Sequence, residues 1–206
     1  MAAPEFVVIT GAVEGDVDEA VVRCLIEHIQ ARTRAVYGRN GKGHLHRRLS
    51  GYNQAARFSP WIVLVDLDHD SECAPPFRDS WLPDPSQYMC FRVAVRAVKA
   101  WLMADRERLA RFLSVDLARI PQNVESVSHP KLTMVEIAQH SRRREIREDM
   151  VPRAGSGRIV GPAYTARLIE FVMVAKFGWR PEVAAECSES LKRCLRCLRR
   201  LKEISA

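Results

Sequence analysis

The chain has 206 residues, 47% of them apolar and 28% charged. That suffices for a buried core without disulfide or metal staples, and it is too apolar a composition for a disordered segment. No apolar run approaches the roughly 18 residues of a membrane helix, and Lys plus Arg exceed Asp plus Glu by 32 to 25, a balance that favours an anionic partner.

The opening MAAPEFVVIT has no basic stretch ahead of its apolar run. It reads as a first strand, Phe6 to Thr10, stopping at Gly11, and not as a signal peptide. A helix is expected from Asp16: Asp16 and Glu19 have capping-box spacing, and Val17, Ala20, Val21, Cys24, Leu25 and Ile29 repeat at helical period. Arg34 to Tyr37 reads as a short strand, Gly38 to Gly43 as a loop, and Leu45 to Phe58 as a helix. Trp61 to Val65 is wholly apolar, as in a strand buried on both faces, and it ends in DLDHD. The segment to Pro85 reads as loop with at most one turn of helix. Cys90 to Val95 reads as a fourth strand and Val98 to Leu113 as one helix. Beyond it the spacing predicts helices over Leu132–Ser141, Ala163–Phe177 and Ser190–Glu203, with Pro162 opening the second of these and Gly178 closing it. The RRREIREDMVPRAGSGR stretch reads as a charged loop or lid.

The β–α alternation predicts an α/β fold: a mainly parallel four-stranded sheet flanked by helices. The loss of alternation after Leu113 divides a core over residues 1–113 from a helical extension over 114–206, packed on it. Six cysteines stand at 24, 73, 90, 187, 194 and 197. With no export signal they read as reduced thiols of a cytoplasmic protein. Cys194 and Cys197 form a C-x-x-C without a second pair at zinc spacing. Cys194 shares a helical stripe with Leu191, Leu195, Leu198 and Leu201, so core packing explains it better than metal does.

Three acids, Asp66, Asp68 and Asp70, follow the buried strand. Ligand sites of open α/β sheets lie outside such strand ends. Carboxylates two residues apart in extended chain point the same way and repel unless a cation lies between them, and hard oxygen donors suit Mg²⁺ or Mn²⁺. Glu14 lies just past the first strand, at the same sheet edge in this fold, where it could complete a metal site or act as a base. Asp18 and Glu19 read as first-turn acids that favour the helix dipole. No carboxylate occurs between His28 and Val65, a stretch holding Arg32, Arg34, Arg39, Lys42, Arg47, Arg48 and Arg57. That is the footprint of a phosphate-backbone surface, with Arg39 and Lys42 its foremost contacts and Arg47 and Arg48 beside them. The basic run Lys192 to Lys202 reads as a solvated helix face. GRNGKG lacks the Ser/Thr and the spacing of a phosphate-binding Walker loop. DLDHDS has Ser71 where a calcium loop needs Gly. His44 and His46 read as exposed loop residues and His129 as a turn residue.

VEGDVDE after the first strand, together with DLDHD after a later one, resembles the Toprim domain of topoisomerases, primases and overcoming-lysogenization-defect nucleases. The resemblance implies Glu14, Asp66 and Asp68 as catalytic metal-binding acids, with Asp70 beside them. It also implies Mg²⁺-dependent phosphodiester chemistry on nucleic acid. VDLDHDSECAPPFR, RVAVRAVKAWLMAD, the HPK at His129–Lys131, VGPAY and SESLKRCL are similar to domain-of-unknown-function family 4276, a Toprim-related bacterial family. That resemblance runs from residue 13 to residue 194. One position departs from it: where that family has an acid two residues before the Trp, this chain has Lys99. A charged lysine cannot ligate a cation, so a one-metal site held by Glu14, Asp66 and Asp68 is the economical reading; alternatively Lys99 substitutes its own charge for a second metal near the phosphate. Asp105, the family's closing acid, also reads as an ordinary exposed helical residue. Two alternatives remain open. Lys99 favours a non-catalytic subunit partnered with an ATPase, as Toprim-related proteins often are. A haloacid-dehalogenase-type phosphatase ranks lower, because its D-x-D follows the first strand and its later paired acids are missing here.

Overall fold

In the computed structural model, which describes residues 6–174 and 177–205, the first strand starts later and runs further than expected. β1 spans Val8–Val13 and crosses Gly11 without a break. Gly11 serves close approach, not a turn: a Cβ there would come within 3.1 Å of Val22 and 3.2 Å of Val36, as glycines inside strands often reflect. Helix α1, Asp16–His28, begins where expected, but Gly15 is its N-cap and no side chain caps it. The capping-box acid Glu19 instead holds Arg23 and Arg39.

Strand β2 is Arg32–Gly38, and α2, Lys42–Ala55, starts and ends three residues before its expected bounds. Strand β3, Trp61–Asp66, is buried at all six positions. Where a loop was expected, Ala74–Trp81 forms α3, two turns long. Its early proline suits a helix start, because the first-turn N–H groups have no intrahelical partner to lose. Strand β4 is Met89–Ala94.

The four strands are all parallel in the order β2-β1-β3-β4, so the α/β fold with a parallel, helix-flanked sheet is as the alternation implied. The chain steps outward from β1 to β2, then returns past β1 to β3. The direction therefore reverses between β1 and β3, which makes the carboxyl ends of those two strands the switch point of the sheet.

Alternate residues divide the two faces. Ala12, Val63, Val65, Phe91 and Val93 meet Leu45 and Leu49 of α2 and Phe77 of α3 in one buried cluster. Each large apolar side chain buried there contributes about 1.5–3 kcal/mol. On the opposite face Gly11 meets Val22 of α1. The last helix, α10 (Glu189–Glu203), joins that face: the free thiol of Cys197 lies beside that of Cys90 on β4, and Lys202 Nζ donates to the Ile29 carbonyl at 2.8 Å. Its stripe of Leu191, Cys194, Leu195, Leu198 and Leu201 is buried, as read from the sequence.

The chain accordingly forms one compact unit from residues 1–95 and 190–206 and a second from 96–189, a division different from a single cut at 113. The stripe of α10 is satisfied by the sheet, which brings the C-terminal segment back to the first unit.

The second unit is helical. The continuous helix expected over Val98–Leu113 is two, α4 (Val98–Ala104) and α5 (Arg106–Leu113). Asp105 makes the break. It is fully buried, not exposed as its helical position suggests, because its carboxylate caps α5 at Arg108 N and accepts three hydrogen bonds of 2.7–2.9 Å from Arg180. Aspartate favours such positions because its short side chain competes with the helical ladder. Then come α6 (Pro130–Gln139), α7 (Arg144–Met150), α8 (Tyr164–Met173) and α9 (Pro181–Glu186). Part of the expected charged loop is thus helix. The expected Ala163–Phe177 helix closes at Met173, and residues 175 and 176 of that expectation lie outside the described residues. Trp179 Nε1 donates to the Trp101 carbonyl at 3.1 Å, tying this core together. Among the described residues no helix is long and apolar enough to cross a membrane.

Candidate metal centre

The acids reach one edge of the sheet because β1 and β3 are neighbours, with Thr10 opposite Trp61 and Ala12 opposite Val63. Glu14 follows the last residue of β1, and Asp66 is the last residue of β3. They meet directly: Glu14 Oε1 accepts the Asp66 backbone N–H at 2.7 Å. The loop after β2 fixes the Glu14 backbone. Gly41 N donates to the Glu14 carbonyl and Arg39 N to the Val13 carbonyl, each at 3.0 Å. Gly38 opens that loop at φ +97°, and a Cβ there would collide with the Val13 carbonyl oxygen, so only glycine fits.

The environment is acidic and poorly hydrated. Asp66 is 7% exposed and Asp18 3%. Burial pushes the Glu14 carboxyl up to about 7, helped by the Asp66 charge and, more weakly, by Asp18; the Asp66 N–H bond and the Lys42 charge oppose this. Asp18 therefore belongs to the site, although as a first-turn acid it reads as a dipole residue. Its place two residues into a helix that starts at the switch point is the sequence signal for it.

Asp68 and Asp70 behave differently from the expectation that Asp66 and Asp68 point the same way. The chain leaves extended conformation after Asp66, and Asp68 takes a left-handed φ of +51°. Asp66 acts on Glu14 through its backbone N–H and its charge. Asp68 and Asp70 share the ammonium of Lys42, at 2.6 and 2.7 Å. For Lys42, burial favours losing the proton, but the bonds to Asp68 and Asp70 and the charges of Asp68 and Glu14 outweigh it and raise its pKa. The like charges of this turn are thus balanced by a cation from the chain itself.

That arrangement changes the reading of the basic residues. Lys42 belongs to the acidic site and is not an open phosphate contact. Arg39 is paired with Glu19 at 3.1 Å. Arg47 and Arg48 are exposed on α2 and form no ion pair among the described residues. Lys99 is half-buried on α4 in the second unit, near enough to Tyr164 for its charge to act on that phenol. His44 and His46 lie on α2 and not in a loop: His44 is half-buried, and His46 is exposed with its ring 4.4 Å from that of Trp81.

Two observations test the fit of a Mg²⁺ or Mn²⁺ ion. The donors are all carboxylate oxygens, the set such ions prefer. The crowded acids already draw positive charge, as a proton on Glu14 and as the Lys42 ammonium on Asp68 and Asp70. Both fit a hard cation. Among the described residues, no three His, Cys, Asp or Glu side chains are gathered as a preformed cage, so an ion would compete with the proton and with Lys42. No family model, no curated protein and no solved structure matches the chain.

Proposed function

We propose that the protein is a Mg²⁺- or Mn²⁺-dependent nuclease of Toprim type, or a related phosphoryl-transfer protein, acting on nucleic acid. One observation carries the reading: half-buried Glu14, just past β1, and buried Asp66, the last residue of β3, meet at the switch point of a parallel sheet, where Glu14 accepts the Asp66 backbone N–H at 2.7 Å. Asp66 would hold the ion, joined by Asp68 and Asp70 once Lys42 releases them. When bound, the ion supplies charge neutralisation at the phosphate and a lowered pKa for the attacking water. Glu14 is a ligand or the proton acceptor. With Oε1 held by Asp66 N–H, its carboxyl can exchange a proton near neutral pH, where a general base is most useful. Freed Lys42 and the exposed Arg47 and Arg48 would bind phosphate oxygens, which makes affinity fall with salt. Six free cysteines suit the same reading's cytoplasmic setting.

Lys42 also supports a second reading. An ammonium seated on Asp68 and Asp70 does the charge balancing that a metal would do, as expected of a non-catalytic subunit that works with a partner ATPase. Cleavage assays on plasmid and on single-stranded RNA with Mn²⁺ separate the two. The nuclease reading expects chelator-sensitive cleavage, reduced at least about 100-fold in Glu14→Gln and Asp66→Asn. Cleavage that survives in both variants contradicts the site. Metal binding without cleavage favours the partner subunit.

A further inference from the structure

Three thiols lie together on the α10 face of the sheet. Cys90 of β4 and Cys194 of α10 are fully buried, and Cys197 is partly exposed. Cys197 is hydrogen-bonded to Cys90. Arg92 stands two residues along β4, so it shares the face of Cys90. Arg92 and Cys197 line a cavity of about 240 Å³ at the free edge of β4, with Arg78, Pro85 and Met89. The buried Nε of Arg92 has no hydrogen-bond partner among the described residues.

We propose that Cys197 is an oxidant-sensitive modification site, its sulfenic acid resolved by Cys90 into a disulfide that joins α10 to β4. The inference does not depend on the metal reading. The chemistry follows from the placement. Burial keeps the proton on Cys90, whose hydrogen bond holds Cys197 toward the thiolate; the charges of Arg92 and Arg200 add to this against the burial of Cys197. Thiolate beside cationic groups, reachable from a cavity, is the form that reacts. The Cys197 sulfur attacks one oxygen of a hydroperoxide; the O–O bond breaks, sulfur gives up two electrons, and the leaving hydroxide or alkoxide takes a proton. The Cys90 sulfur then attacks the Cys197 sulfur; the S–O bond breaks, and hydroxide leaves with the Cys90 proton as water. Cys194 is the wrong partner. Residues three apart on a helix hold their Cβ atoms about 5–6 Å apart, whereas a disulfide needs about 3.5–4.5 Å.

The test is peptide mapping of the intact protein after stoichiometric hydrogen peroxide and thiol blocking, without reductant. The expected product is a Cys90–Cys197 linked peptide, still formed in Cys194→Ser. In Cys90→Ser, Cys197 should carry a dione-reactive sulfenic acid, at least about fivefold more labelled than the exposed Cys73. Linkage of Cys194 to Cys197, or labelling of Cys197 no greater than that of Cys73 in Cys90→Ser, would overturn the proposal. Cys197→Ser should abolish the linked peptide and leave Cys90 unlabelled.

Discussion

Glu14 owes its proton affinity to its surroundings. With an ordinary value of 4.5 and a folded value of about 7, the protonated form is favoured by folding. The stability it contributes is fully present below about pH 4.5 and is lost as pH rises through about 7. Between pH 5.5 and 8.5 this amounts to at most about 2 kcal/mol, less with solvent screening. Urea unfolding should therefore show the parent losing stability over that range, while Glu14→Gln is flatter and more stable than the parent at pH 8.5. A parent and variant with parallel pH profiles would contradict the burial of this carboxyl against Asp66. Glu14 and Asp66 were legible because each follows an apolar strand, and strand ends in a parallel sheet share an edge. Lys42 was not. It lies in a run that lacks acids, and its partners stand 26 and 28 residues away, so only the return of β3 beside β1 brings them together. The Asp68 turn was hidden for a related reason: the alternation argument holds only while the chain is extended.

The break between α4 and α5 shows a limit of periodicity. Apolar spacing continues through Val98–Leu113 with no Gly or Pro, and Asp105 alone marks the interruption. Its pairing gives an asymmetric expectation. Arg180→Met leaves a fully buried carboxylate without its cation and should cost about 3–5 kcal/mol. Asp105→Asn keeps an oxygen to cap α5 and should cost less. Denaturant titration of both variants checks this, and a cost under about 1 kcal/mol for Arg180→Met would contradict the pairing. Helix α3 was missed from the other side: its two prolines read as loop, yet proline in a first turn costs no hydrogen bond. Strand β3 and helix α10 were clear because a short all-apolar run and a single buried stripe leave little choice of structure.

Across the whole chain, alternating strands and helices were enough to anticipate the parallel sheet, whereas the return of α10 to the first unit was not legible. An amphipathic helix announces that it needs a face without saying which one. The same limit governs function. The order of acids along the chain brings Glu14 and Asp66 to one sheet edge, but whether a metal or Lys42 neutralises the acids there is a competition between cations that no motif encodes. Calorimetric titration with Mn²⁺ measures that competition directly, using the parent, Glu14→Gln, Asp66→Asn and Lys42→Met. Saturable binding is expected in the parent, at least about tenfold weaker in the first two variants. Removing the ammonium from Asp68 and Asp70 should make binding tighter in Lys42→Met. Binding in Asp66→Asn equal to that of the parent, or no binding even in Lys42→Met, would contradict the proposed site.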